Sequence, residues 1–216
     1  MLPNIDRNLY ARFKQEGYRK KQYAGAPVRS LSGIVQLAYL DVCRTISHIE
    51  PQQAQLFTQT VESCIVGLLS QSPETQEAFD LLHHEGCQQC TTASAIGKVR
   101  IHYGQAQKLM NMSFKYLYNE FAVYYGQLNQ FGFPDNNVEQ FFHLPIDNQI
   151  LTYLLDNCDF CSATSLPWSK WSYDHYINFQ SQLRNRLCRG YKPLEIDYLL
   201  WNTNGASVGN AITRRA

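Results

Sequence analysis

At 216 residues, with 44% hydrophobic residues and a formal charge of +1, the chain carries enough apolar matter for one large domain or two small lobes, which excludes a mainly disordered segment. So small a net charge excludes attraction of a polyanion by the molecule as a whole, and any nucleic-acid contact has to come from local clusters. Seven cysteines, an odd number, read as buried small hydrophobes or metal ligands of a reducing compartment rather than as a disulfide framework.

From the N-terminus, the first segment is charged where a secretion leader needs an apolar stretch. No apolar run anywhere approaches the ~20 residues that cross a bilayer. The expected location is the cytoplasm, with no membrane. Helical periodicity governs the chain and alternation of the strand type never exceeds a few residues, so the expected class is all-α. Helices are predicted over residues 4–22, 32–49, 52–70, 74–84, 104–125, 148–157, 173–187 and 194–201. The first carries a cationic cluster running from Arg7, Arg12 and Lys14 through Arg19, Lys20 and Lys21 towards Arg29. Glu50-Pro51 and Ser72-Pro73-Glu74 supply start signals, with a first-turn proline in each case.

Between Gly86 and Gly97 glycine, threonine and serine replace the helical pattern, the natural boundary if residues 1–204 divide into lobes 1–90 and 91–204. Gly126 can close the long central helix, and a loop follows with Gly132, Pro134, Asp135, Asn136 and Asn137, broken by one helical turn over 138–142. Arg184, Arg186, Arg189 and Lys192, with Arg214 and Arg215, form a second cationic cluster. Taken alone, either cluster is a solvated face as readily as a phosphate surface. Residues 205–216, small and polar, read as a mobile tail.

The chemistry concentrates in the centre. Gly104-Gln105-Ala106-Gln107-Lys108-Leu109-Met110-Asn111 opens a helix, and Leu144-Pro145-Ile146-Asp147 leads into the next. The pattern Gly104, Lys108, Asn111 followed by Asp147 and Ile150 resembles the helix-hairpin-helix superfamily of DNA glycosylases over about residues 96–155. Ala106 stands where that pattern has its second glycine, and the long lysine-to-aspartate spacing is similar to that of the archaeal 8-oxoguanine branch. The resemblance implies a helical glycosylase fold with a cleft, Lys108 as amine nucleophile and Asp147 as the carboxylate beside it, and Gly104 and Asn111 in a hairpin that meets DNA. It also implies removal of a damaged or modified base by a monomer acting on DNA, with or without strand cleavage, in repair or in defence against phage DNA. No cofactor is implied.

The residues have plainer readings as well. Met110, Phe114, Leu117 and Phe121 form the apolar stripe of the central helix, and Lys108 and Lys115 share the opposite side, a wet surface or a cleft wall. Lys115 is the reserve nucleophile. Asp147 stands where an N-cap belongs, and His143 is a loop residue or a pocket wall. Trp168 and Trp171 flank Lys170 and are packing anchors or a platform for a flipped base. Cys87/Cys90 and Cys158/Cys161 have the spacing of zinc ligands, with His83 and His84 nearby, but the long gap between the pairs argues against a compact zinc module, and no metal is assigned. The alternative to an enzyme is a non-catalytic helical module that binds nucleic acid or protein.

Overall fold

The structure, a computed structural model, describes residues 30–46, 48–93, 99–123, 137–157, 166–188 and 191–202. The predicted helix over 4–22 with its cationic cluster, most of the loop after the central helix, the Cys158/Cys161 pair and the 205–216 tail lie outside the described residues. Seven α-helices and three short 3-10 turns account for the secondary structure among the described residues, as an all-α chain requires. No described helix is long and apolar enough to cross a membrane.

Helix α1 (Leu31–Val42) starts where the Ser30 hydroxyl accepts the Gly33 N–H at 3.1 Å, and it tightens into a 3-10 turn over Cys43–Thr45. Helix α2 (Pro51–Ser70) begins on the predicted proline, with the Gln53 side chain accepting the Glu50 N–H. It buries Phe57, Val61, Ile65 and Leu68, a stripe at helical spacing.

Helix α3 (Gln76–Ala93) departs from the prediction at both ends. Its start is capped by Thr75, whose hydroxyl accepts the Ala78 N–H at 3.1 Å, whereas Ser72 sits in the left-handed region, at φ 49°, and belongs to the link. Its end lies at Ala93 rather than at His84 because Gly86 does not break it. A Cβ at Gly86 would come 3.1 Å from both Cys64 and Met110, so the glycine lets three helices approach closely, and that packing outweighs its low helix propensity.

Helix α4 (Tyr103–Val123) is the axis of the molecule. Every residue from Gly104 to Tyr118 is buried, which an amphipathic surface helix never shows. One apolar cluster gathers α1, α2, α3 and the Met110 side of α4, with Val138 and Phe142. A second gathers Leu144, Ile146 and residues of α5 (Asn148–Asn157), the Trp168–Lys170 turn, α6 (Tyr173–Leu187) and α7 (Pro193–Asn202). Tyr103, at the head of α4, packs against both, and His143 stands in sequence between them.

The clusters are joined by a buried polar chain. The Arg184 guanidinium donates to Asp80 at 2.9 Å, and Asp80 accepts from His143 at 2.6 Å and from Gln76 at 2.8 Å. The Tyr176 hydroxyl donates to His143 Nδ1 at 2.6 Å and accepts from the Asn111 amide at 2.8 Å. Asn111 also donates to Gln107 at 2.9 Å and accepts from His83 Nε2 at 2.9 Å. Neutral imidazoles protonated on Nε2 satisfy every one of these bonds at once, the condition for a polar network to be tolerated in a core.

Burial holds the His83 imidazole well below 6.5, with neighbouring His143 adding to the effect, and burial likewise lowers His143 against the pull of Asp80. The unfolded chain therefore binds protons that the native state refuses. The stability they contribute is complete above about pH 6.5 and falls as the pH drops, by up to about 1.4 kcal/mol per pH unit for each imidazole. Urea midpoints measured between about pH 7.5 and about pH 5.5 check this, and a flat profile would contradict neutral imidazoles in the core.

Candidate active site

The two central residues singled out in the sequence meet. Lys108 Nζ lies 3.0 Å from Asp147 Oδ2, bringing one residue from the first turns of α4 to another at the start of α5. Asp147 divides its carboxylate between two tasks. Oδ1 accepts the Ile150 N–H at 3.0 Å and so caps α5, while Oδ2 receives the lysine.

The pair is unevenly buried. Lys108 exposes 5% of its side chain and Asp147 22%, so solvent reaches the pair from the aspartate's side. Burial pulls the Lys108 ammonium below its ordinary value, against the pull of Asp147. Burial would lift the Asp147 carboxyl, but the Lys108 charge and the Ile150 N–H hold it below its ordinary value. The arrangement stores an amine closer to neutrality than a surface lysine, next to a carboxylate that keeps its charge.

A second pair stands two turns further along α4. Lys115 is ion-paired with Asp197 of α7, and both side chains are almost wholly buried. Burial lifts the Asp197 carboxyl and Lys115 opposes it, with Lys108 acting in the same sense from further off. The shared polar side of α4 is therefore neither wet nor idle. It faces two acids supplied by two other helices.

Gly104 explains how the wall over Lys108 is built. A Cβ at Gly104 would fall 2.0 Å from the Trp168 carbonyl oxygen and 2.7 Å from the Ser169 carbonyl carbon. The absent side chain lets the Trp168–Lys170 turn seat against the head of α4, and the Trp168 ring then lies 6.0 Å from Lys108 Nζ, at the limit for a cation facing an aromatic face.

The remaining predicted residues separate from this pair. Asn111 and His143 are wholly buried in the polar chain. Trp171 is a packing anchor, with its indole N–H donated to the Leu166 carbonyl at 3.0 Å and its ring 5.4 Å from Phe179. Cys87 and Cys90 lie inside α3 with no exposure. Among the described residues no group of three or more metal-ligating side chains is arranged around an ion site. Within the second cationic cluster, Arg184 is paired with Asp80 and Lys192 with Glu139.

Asp197 and Asp80 escaped the sequence reading, and His83, read as a possible zinc ligand, belongs instead to the polar chain. For Asp197 there was a signal: an acid amid Leu194, Ile196, Leu199 and Leu200 is costly to bury unless a cation meets it. Compared with known protein families, with curated proteins and with solved structures, the chain matches none.

Substitutions at two positions test this construction. Gly104→Ala forces the Trp168–Lys170 turn off α4, at a cost of about 1–3 kcal/mol, with red-shifted tryptophan emission as Trp168 gains water; unchanged stability and emission would contradict the close seat. Asp147→Asn keeps a capping side chain but strands the Lys108 charge, at about 2–4 kcal/mol, and Asp147→Ala loses the cap too, for about 1 kcal/mol more. Urea unfolding of the two variants separates cap from charge, and equal losses would deny the carboxylate its two tasks.

Proposed function

We propose that this chain is a DNA glycosylase with AP-lyase activity, related in mechanism to the helix-hairpin-helix enzymes and acting as a monomer in the cytoplasm on DNA that carries a damaged or modified base. The observation that carries the reading is the Lys108–Asp147 pair, a buried amine of lowered basicity at 3.0 Å from a capped, ionised carboxylate.

An extruded nucleotide presents its C1′ to this pair from the side on which Asp147 is open to solvent. As the bond from C1′ to the base breaks, positive charge grows on the sugar, and the Asp147 carboxylate stabilises it. The neutral Lys108 amine then bonds to C1′ while the departing base takes a proton. Opening of the sugar ring yields an imine between Lys108 and the sugar, and elimination from that imine cleaves the 3′ C–O bond.

Arg100, His102 and Lys170 provide a surface for the DNA backbone. Burial first, then the charges of Arg100 and Lys170, depress the His102 imidazole, a sign that the two cations gather around it where α4 begins. That helix end adds its own positive pole for phosphate.

The test is trapping with borohydride across a panel of duplexes carrying oxidised purines or bulky phage-type base modifications. The native chain forms a covalent adduct with a substrate duplex, and the adduct yield rises with pH to a plateau reached below the ordinary lysine value of 10.5. Lys108→Gln removes the adduct and slows base release by about 10³-fold or more, with DNA binding retained. Trapping that survives in Lys108→Gln would end the assignment of Lys108 as nucleophile. A native chain that releases no base from any duplex would end the glycosylase reading.

A further inference from the structure

Outside the lysine pairs, the molecule holds a second reactive arrangement where α2 crosses α3. The crossing is tight because residue 86 lacks a side chain: a Cβ there would stand 3.1 Å from the Cys64 Cβ. Cys64 Sγ reaches the Gly86 carbonyl oxygen at 3.6 Å and Gln89 Oε1 at 3.4 Å. Cys90 lies one turn beyond Gly86, on the same side of α3, which sets its side chain beside that of Cys64 along the seam.

The two sulfurs differ in access. Cys64 is half-buried and Cys90 wholly buried. An open groove of 620 Å³, lined by Thr60, Glu85, Gln88, Gln89 and Thr92, follows the same α2–α3 seam. Thr60 is one turn before Cys64, and Gln89 touches its sulfur. A small oxidant can therefore reach Cys64 and not Cys90.

We propose that Cys64 and Cys90 form a peroxide-responsive dithiol, in which Cys64 attacks the oxidant and Cys90 resolves the product into a disulfide joining α2 to α3. The Cys64 thiolate attacks one oxygen of hydrogen peroxide, the O–O bond breaks, and with one proton the second oxygen leaves as water. Cys64 becomes a sulfenic acid. The Cys90 sulfur then attacks the Cys64 sulfur, the S–O bond breaks, and the hydroxyl leaves as a second water with the Cys90 proton. The dithiol loses two electrons and the peroxide gains them.

The division of roles follows from the surroundings. The neighbouring Cys90 thiol holds the Cys64 thiol below its ordinary value, against the effect of burial. The same interaction, together with burial, pushes Cys90 well up. Cys87 is pushed up by burial and turns its thiol to Met110 Sδ at 3.5 Å, so it competes poorly for either role.

The experiment treats the purified full chain with hydrogen peroxide and maps its peptides under non-reducing conditions. The expected product is a Cys64–Cys90 cross-link that dithiothreitol reverses, with a thermal midpoint higher by roughly 5–10 °C in the oxidised form. Before oxidation, iodoacetamide labels Cys64 about tenfold faster than Cys90 or Cys87. Cys90→Ala traps a dimedone-reactive sulfenic acid at Cys64, and Cys64→Ser, a change at a half-buried position, loses both cross-link and adduct. Should Cys90→Ala fail to fold, mapping of the native chain and of Cys64→Ser still decides. Cys64 ending as a sulfinic acid in the native chain, staying unmodified, or linking to Cys87 would each overturn the proposal.

Discussion

Two ammonium groups leave the same side of a helix that is buried over Gly104 to Tyr118, and each of them has to meet a carboxylate inside the protein. An unpaired charge at such depth costs several kcal/mol. The architecture on that side of α4 can be understood as the supply of those anions: Asp147 from the start of α5 and Asp197 from α7. Had either helix docked elsewhere, a lysine would be left uncompensated, so the pairings bind the placement of α5 and α7 to the register of α4.

The opposite side of α4 is held differently. Met110, Phe114 and Leu117 bury themselves against the first apolar cluster, and Asn111, at the margin, carries the neutral chain through Tyr176 and His143 to Asp80 and Arg184. That chain satisfies its hydrogen bonds with neutral imidazoles, whereas the lysine side retains unequal exposure. Both sides of α4 thus set burial against charge, with a lysine–carboxylate pair on one and neutral imidazoles ending on the Asp80–Arg184 ion pair on the other.

Glycine is used twice to bring backbones together, not to turn the chain. Gly104 admits the Trp168–Lys170 turn and so places an indole beside Lys108, and Gly86 admits both Cys64 and Met110 to the flank of α3. The first contact shapes the wall of the lysine site. The second brings together the α2–α3 seam and the back of α4, so that packing near the cysteines and packing behind the central helix are mechanically adjacent.

The all-α class and most helix bounds were legible in the sequence, because 3.6-residue periodicity and start signals such as Glu50-Pro51 and Asp147 are local properties of the chain. The partnership of Lys108 with Asp147 was legible too, through a motif that ties a helix start to a preceding turn. What the sequence could not carry was any feature made by contact at long range. Gly86 misled for that reason, since the close approach of Cys64 and Met110 kept α3 helical through it, whereas Ser72 lost the cap to a local competitor, Thr75. The burial of Lys115 on Asp197, the enclosure of α4 on all sides, and the chain from His83 to Arg184 depend on which helix lies beside which. Only tertiary packing decides that, since a buried charge or imidazole acquires its partner, and its shifted basicity, from neighbours that are remote along the chain.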